Sequence, residues 1–450
     1  MSAAGTGSAD GVSAARRRDV LDALRRGAVP AVGLDLLAVG LDRFERAATE
    51  DIAAVAAGGS VFKAVRGEYG SGKTFFTRWL AERAKKVGLA VAEVQISENE
   101  TPLHKLETVY RRLTERLTTA TFPPSALRQV VDGWFYALEE DVLATDVAAG
   151  VNAEALDRAV ADLVDRRLAD VARTAPAFAA ALRGYRAALA TGDEATAAAV
   201  LAWLGGQPHV AASARRAAGV RGDLDHFGAL GFLQGLLAVL RDSGFRGLLV
   251  VLDEVETLQR VRSDARDKAL NALRQLIDEV HSGRFPGLFL VITGTPAFYD
   301  GPQGAARLAP LAQRLATDFT ANPKFDNPRA VQLRLTGFTE ASLVELGGRV
   351  RDLYAAGTSG AAAGRIEHLA DDAYLRELAG AVAGRLGGKV GVAPRLFLKK
   401  LVGDVLDRVD QFDDFDPRRD YPLTLTSAEM SDLERNAAAT RANDIDLDLG

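Results

Sequence analysis

The chain has 450 residues, of which 48% are hydrophobic and 26% charged, with a formal net charge of −5. That length allows two or three domains with ample core. The charge excludes a chain drawn to nucleic acid by a global basic excess, although a local basic face stays open, and the lack of cysteine excludes disulfides, thiolate zinc sites and cysteine nucleophiles.

No apolar stretch approaches the length of a transmembrane helix. Met1 to Gly11 is small and polar, without the apolar centre of a signal peptide, so a cytoplasmic protein without a membrane partner is expected. Residues 1–13 have little to bury and read as disordered. A helix is expected from about Ala14 to Arg26, its Arg16-Arg17-Arg18 cluster being a solvated face or a phosphate or partner contact. Ala28-Val29-Pro30 breaks it. Val39-Gly40-Leu41-Asp42-Arg43-Phe44 then opens a helix reaching Ala57.

Val61 to Val65 reads as a strand and Phe75 to Arg83 as a helix. Between them, Gly67-Glu68-Tyr69-Gly70-Ser71-Gly72-Lys73-Thr74 fits the phosphate-loop pattern G-x-x-x-x-G-K-[ST] at every defined position. The chemistry is local. Glycines let main-chain N–H groups turn inward around a phosphate, and the helix start adds partial positive charge. Lys73 would reach the β- and γ-phosphates and the Thr74 hydroxyl would coordinate Mg²⁺, with Phe75 closing the nucleotide-binding stretch.

Leu89 to Ile96 alternates as a second strand, ending in the polar loop Ser97-Glu98-Asn99-Glu100. The ends of parallel strands face the ligand crevice, so Glu98 or Glu100 is placed to orient water or read a partner, or simply to solvate the loop. From Leu103 to about Asp242 the pattern is helical, an insertion long for the space between two nucleotide motifs. Trp134 and Trp203 are expected in its core, and the Ala- and Gly-rich segment holding Arg215, Arg216 and Arg221 reads as a mobile basic loop.

Gly247 to Leu252 is a continuous apolar run, the mark of a strand buried on both faces, and Asp253 and Glu254 close it. Asp253 would hold the Mg²⁺ shell and Glu254 would polarise the attacking water. Helices are expected at Val255–Val261 and Ser263–His281. A buried strand, Leu288 to Ile292, follows and ends in Thr293-Gly294-Thr295-Pro296. Leu308, Leu311 and Leu315 share a helix face with Arg307 and Arg314 nearby, before a strand at Ala330–Leu335. Beyond Gly337 the chain is helical, with a flexible break at Gly387–Gly391 and a helix from Ala393 to Val402. The acidic tail from Asp410 reads as loosely ordered.

Several stretches together resemble a known family. Gly67 to Phe76, Gln95-Ile96-Ser97-Glu98 with Pro102 to Leu106, Leu252 to Glu256, Arg274 to Asp278 and Thr293 to Tyr299 look like the BrxD ATP-binding proteins of bacterial BREX phage-defence systems, over most of Ala28 to Val402. They are also similar to the wider AAA+ group of origin-recognition and transposition-regulator ATPases. The resemblance implies an α/β, AAA+-like P-loop fold: a tail and helix over 1–30, an ATPase core over 31–335 holding the 103–242 insertion, and a helical lid with acidic tail over 336–450. It implies ATP rather than GTP, DNA and other defence proteins as partners, and assembly into homo-oligomers.

It also assigns roles by position. Val39 to Phe44 would lie over the adenine, or be an ordinary turn. Thr293 or Thr295, with Thr295 preferred, would report the γ-phosphate, or cap the strand end. Arg314 would be a finger for a neighbouring subunit, or a surface or ion-paired arginine. Arg395 would point from the lid to the nucleotide, or serve only the surface. Two functions follow: an ATPase working on or near DNA, and a nucleotide-gated switch that recruits partners. A helicase-like motor ranks below both, because no second motor domain is present.

Overall fold

The computed structural model describes residues 11–144, 153–385, 394–422 and 430. The apolar runs of the sequence become strands β1 (Val61–Arg66), β2 (Ala90–Gln95), β3 (Leu248–Asp253) and β4 (Leu288–Gly294). With the short β5 (Gln332–Arg334) they form one five-stranded sheet in the order β2-β3-β4-β1-β5, and every pair is parallel. All seven residues of β4 are buried, as a strand covered on both faces requires.

Alternate residues serve opposite faces of the sheet. Val65, Val91, Leu249, Val251, Phe289 and Val291 pack against α2 (Asp42–Ala56) and α3 (Lys73–Val87). Ala92, Val94, Val250, Leu252, Leu290 and Ile292 face the helical insertion and a long later helix. The insertion runs from α4 (Leu106–Arg116) through α5 (Leu127–Leu143), α6 (Ala153–Arg167), α7 (Ala169–Thr174), α8 (Pro176–Ala190), α9 (Glu194–Leu204) and α10 (Ala212–Ala217) to α11 (His226–Asp242). The later helix is α12 (Ser263–His281). The insertion therefore covers one face of the sheet. Trp134 and Trp203 are buried in its core, and their indole N–H groups donate to Asp242 Oδ2 at 2.6 Å and to the Gly222 carbonyl at 2.9 Å.

After β4 come α13 (Pro296–Asp300) and α14 (Ala309–Leu315). Beyond β5 a helical bundle follows: α15 (Glu340–Ala355), α16 (Ala361–Leu369), α17 (Asp372–Arg385) and α18 (Pro394–Lys399). A π-helical stretch at Lys400–Leu406 continues α18 into α19 (Asp407–Gln411). Thr339 and Ser342 close the start of α15 reciprocally, as a capping box does. The first helix of the chain, α1 (Ala14–Arg25), shares this bundle's core. Val20, Leu21 and Leu24 are buried with Leu343, Leu353, Phe397 and Leu401. Arg25 grips Asp407 through two bonds, Nε–Oδ2 at 2.7 Å and Nη2–Oδ1 at 2.8 Å, and Tyr354 donates to the same carboxylate at 2.7 Å.

Three expectations are corrected. The basic segment around Arg215 and Arg216 is α10 rather than a mobile loop, because Ala214, Ala218 and Val220 find room in the insertion core. The stretch after Glu254 makes only a 3₁₀ turn, Val255–Gln259, because the Thr257 hydroxyl binds the Glu254 and Ile96 carbonyls and ties the turn to the end of β2. The acidic tail from Asp410 is not loose over 410–422, where Pro417–Asp420 forms a short helical turn and Arg418 pairs with Asp371 at 2.6 Å. Residues 1–10, the break at Gly387–Gly391, and the rest of that tail at 423–429 and 431–450 lie outside the described residues.

Candidate functional site

The phosphate loop joins β1 to α3, so its residues sit where the parallel strands end. Two glycines are needed for its shape. A Cβ on Gly67 would lie 2.2 Å from Ser71 Oγ, and Gly72, the cap residue of α3, has φ +89°. The first turn of α3 leaves main-chain N–H groups without intrahelical acceptors, aimed at the cleft. Ser71 Oγ is buried and has no hydrogen-bond partner. A tight glycine loop with an orphaned hydroxyl suits a phosphate.

Lys73 is buried, and its Nζ donates to the Gly67 carbonyl at 2.9 Å and the Glu68 carbonyl at 3.3 Å. The Tyr69 ring lies 5.1 Å from Nζ, within cation–π range. Burial pushes the Lys73 ammonium below its ordinary pKa, against the pull of Glu256, Asp253, Glu254 and Glu68.

The acids come from β3. The pairing of Leu252 with Ile292 brings Asp253 beside Thr293, and Gln95 pairs with Asp253 on the other side. Thr74 Oγ1 donates to Asp253 Oδ2 at 3.4 Å. The Thr293 hydroxyl donates to Asp253 Oδ1 and accepts the Glu254 N–H at 3.1 Å. Glu254 has φ +60°, an uncommon backbone for a residue with a Cβ, and its side chain accepts from Gln95 Nε2 at 2.8 Å. Thr74 and Asp253 are the pair that would hold Mg²⁺. Two protein ligands suit that ion, which completes its octahedron with phosphate oxygens and water.

Beside the loop lies a cleft of about 360 Å³. Tyr69, Gly70, Gly72, Lys73, Thr74 and Phe75 line it together with Asp253, Glu254 and Glu256. Its apolar wall comes from Leu24, Val29, Pro30, Leu37, Phe338 and Leu346. Such a wall suits a flat apolar ring. The Ala28-Val29-Pro30 break is therefore part of the site, and Arg78 Nη1 holds it by donating to the Val29 carbonyl at 3.0 Å.

The other candidates divide. Arg395 lines the cleft from α18. Thr295 is buried one residue past β4, and its carbonyl receives the Phe298 and Tyr299 amides. Arg314 lies on α14, ion-paired with Asp278 of α12 and donating to the Pro310 carbonyl at 2.7 Å. Glu98 and Glu100 are exposed in the loop after β2, where Ser97 Oγ takes the Glu100 and Thr101 amides. Sequence reasoning missed Gln95 and Glu256. The β2–β3 register was the available signal for Gln95, and the spacing Asp253-Glu254-Val255-Glu256 for the second acid.

A phosphate loop after β1, acids ending β3 and a hydroxyl from the intervening β4 define a P-loop nucleotide-binding protein on an all-parallel α/β sheet. The chain belongs to the family of BREX system ATP-binding proteins BrxC/D, which it matches over residues 12–424. It is thus an ATP-binding protein of the BREX phage-defence system. No curated protein matches it. Among the described residues, no helix is long and apolar enough to cross a membrane.

Proposed function

We propose that this chain is a cytoplasmic AAA+-like ATPase, converting ATP to ADP and phosphate with Mg²⁺ and acting with DNA and other defence proteins. The observation that carries hydrolysis, rather than binding alone, is Glu254. It stands one residue beyond Asp253, next to the cleft, with its side chain held by Gln95. Gly67 to Gly72 and the start of α3 wrap the phosphates, Lys73 neutralises their far end, and Thr74 and Asp253 hold the metal. Bound Mg²⁺ supplies charge neutralisation and orients the phosphate oxygens. Glu254 takes the proton of the attacking water on a carboxylate oxygen. Arg395 braces the nucleotide from the C-terminal bundle, Thr295 supports the γ-phosphate end beside Thr293, and Phe338 and Val29 flank the base.

The lid reading of residues 336–450 draws support from Phe338, Leu346 and Arg395 lining the same cleft as the loop. In a homo-oligomer Arg314 serves a neighbour's nucleotide. A nucleotide-gated switch is the second reading, and the Arg314–Asp278 pair favours it, since the arginine is engaged within its own chain. ATP turnover with and without duplex DNA, together with sizing in both nucleotide states, separates the two. DNA-stimulated turnover supports the ATPase. A slow, DNA-independent rate with ATP-dependent partner contact supports the switch.

A further inference from the structure

Glu256 follows Glu254 by two residues. It sits on the 3₁₀ turn after β3, with 5% of its surface exposed. Neither carboxylate oxygen has a hydrogen-bond partner. The nearest cation is Lys73, with Nζ 3.9 Å from Oε1, beyond hydrogen-bond reach. Two of the three Lys73 donors go to loop carbonyls. Glu256 also lines the cleft. A buried carboxylate with no donor from another residue is costly to keep, and an ordinary structural acid would have found a partner.

We propose that Glu256 is a positioning residue that acts as the resting counter-ion of Lys73 and competes with the nucleotide's β- and γ-phosphates for it. With the cleft empty, Glu256 balances the buried ammonium and keeps it from leaving the loop. A polyphosphate entering the loop takes over Lys73 and meets a second negative charge behind it. Affinity for di- and triphosphates is thereby held down, and ADP leaves faster after turnover. AMP, whose single phosphate lies short of Lys73, is indifferent to Glu256. Burial raises the Glu256 carboxyl above its ordinary range, while Lys73 and then the residue's own backbone N–H oppose that rise.

The inference rests on the phosphate-loop reading, and one titration separates the two. Binding of AMP, ADP and ATP is measured on the full chain for wild type, Glu256→Gln and Glu256→Leu, with thermal melting as the check on folding. Gln keeps the shape and Leu keeps the bulk, so either variant alone suffices should the other unfold. Removing one like charge should tighten ADP and ATP about tenfold and leave AMP unchanged. ADP release should slow by a similar factor. If folded variants bind ADP no more tightly than wild type, or tighten AMP equally, the counter-ion role is wrong. If wild type itself binds ATP no better than AMP, the phosphate-loop reading fails and this inference falls with it.

Discussion

Gln95 donates its side-chain amide to Glu254 Oε2 at 2.8 Å, and the two residues come from the adjoining ends of β2 and β3. The contact fixes the carboxylate that would accept the water's proton. Glu254 is fixed again at its backbone, where its N–H meets both Asp253 Oδ1 and Thr293 Oγ1 at 3.1 Å. Replacing Gln95 by Leu removes the side-chain restraint and keeps the bulk. Turnover should fall roughly tenfold through loss of orientation, with ATP affinity unchanged. Steady-state kinetics beside a binding titration checks this, and an unchanged kcat would remove Gln95 from the mechanism.

Glu254 and Lys73 should fail in different ways. Glu254→Gln keeps the shape but not the base, so turnover should drop by about 10²–10⁴ while ATP stays bound. Lys73→Ala removes the cation and should weaken ATP binding itself. Nucleotide retained through gel filtration, read beside phosphate release, tells them apart. Wild-type turnover by Glu254→Gln would refute its role.

The bidentate Arg25–Asp407 contact joins α1 to the C-terminal bundle. Both side chains are partly exposed, at 35% and 18%, so the pair is worth about 1 kcal/mol. Arg25→Ala should lower the melting temperature slightly. It should also weaken ATP binding several-fold, because Leu24 and the 27–30 segment line the cleft. A stability loss with no change in affinity would show that α1 does not shape the site.

Asp326 anchors the loop before β5. It accepts from Arg334 Nε and Nη2, both at 2.8 Å, and from the Thr320 amide at 3.2 Å. Burial alone would raise its carboxyl, but Arg334 and Thr320 hold it below the ordinary range. A depressed folded-state pKa means the stabilisation is complete above the unfolded value of about 3.9 and is lost as pH falls through the lower folded value. Asp326→Asn should cost about 1–2 kcal/mol at neutral pH, with the gap to wild type closing in acid. Melting curves across that range give the test, and a gap constant with pH would contradict it.

The sheet was legible because its strands are apolar runs with few readings. The loop and its two acids were legible because phosphate chemistry ties residue types to fixed spacing. What escaped depended on register and on packing between distant parts of the chain. Gln95 meets Glu254 only once β2 lies beside β3 with Gln95 opposite Asp253. Ala28-Val29-Pro30 looked like a helix break, and became a cleft wall only because α1 docks on helices more than 300 residues away, through contacts such as Arg25 to Asp407, 382 positions apart. Thr295 is the residue preferred from sequence, whereas the β3–β4 pairing sets Thr293 against Asp253.

The clasp between α1 and α18–α19 brings two distant stretches of the chain together, so that they frame one opening jointly. Whatever shifts the last helices must carry Leu24 to Pro30 along, and whatever pulls on the first helix must disturb Arg395. A binding partner seated on α1 or on α18 and α19 is therefore mechanically connected to the mouth of the cleft, and removal of α1 would leave those last helices unmoored.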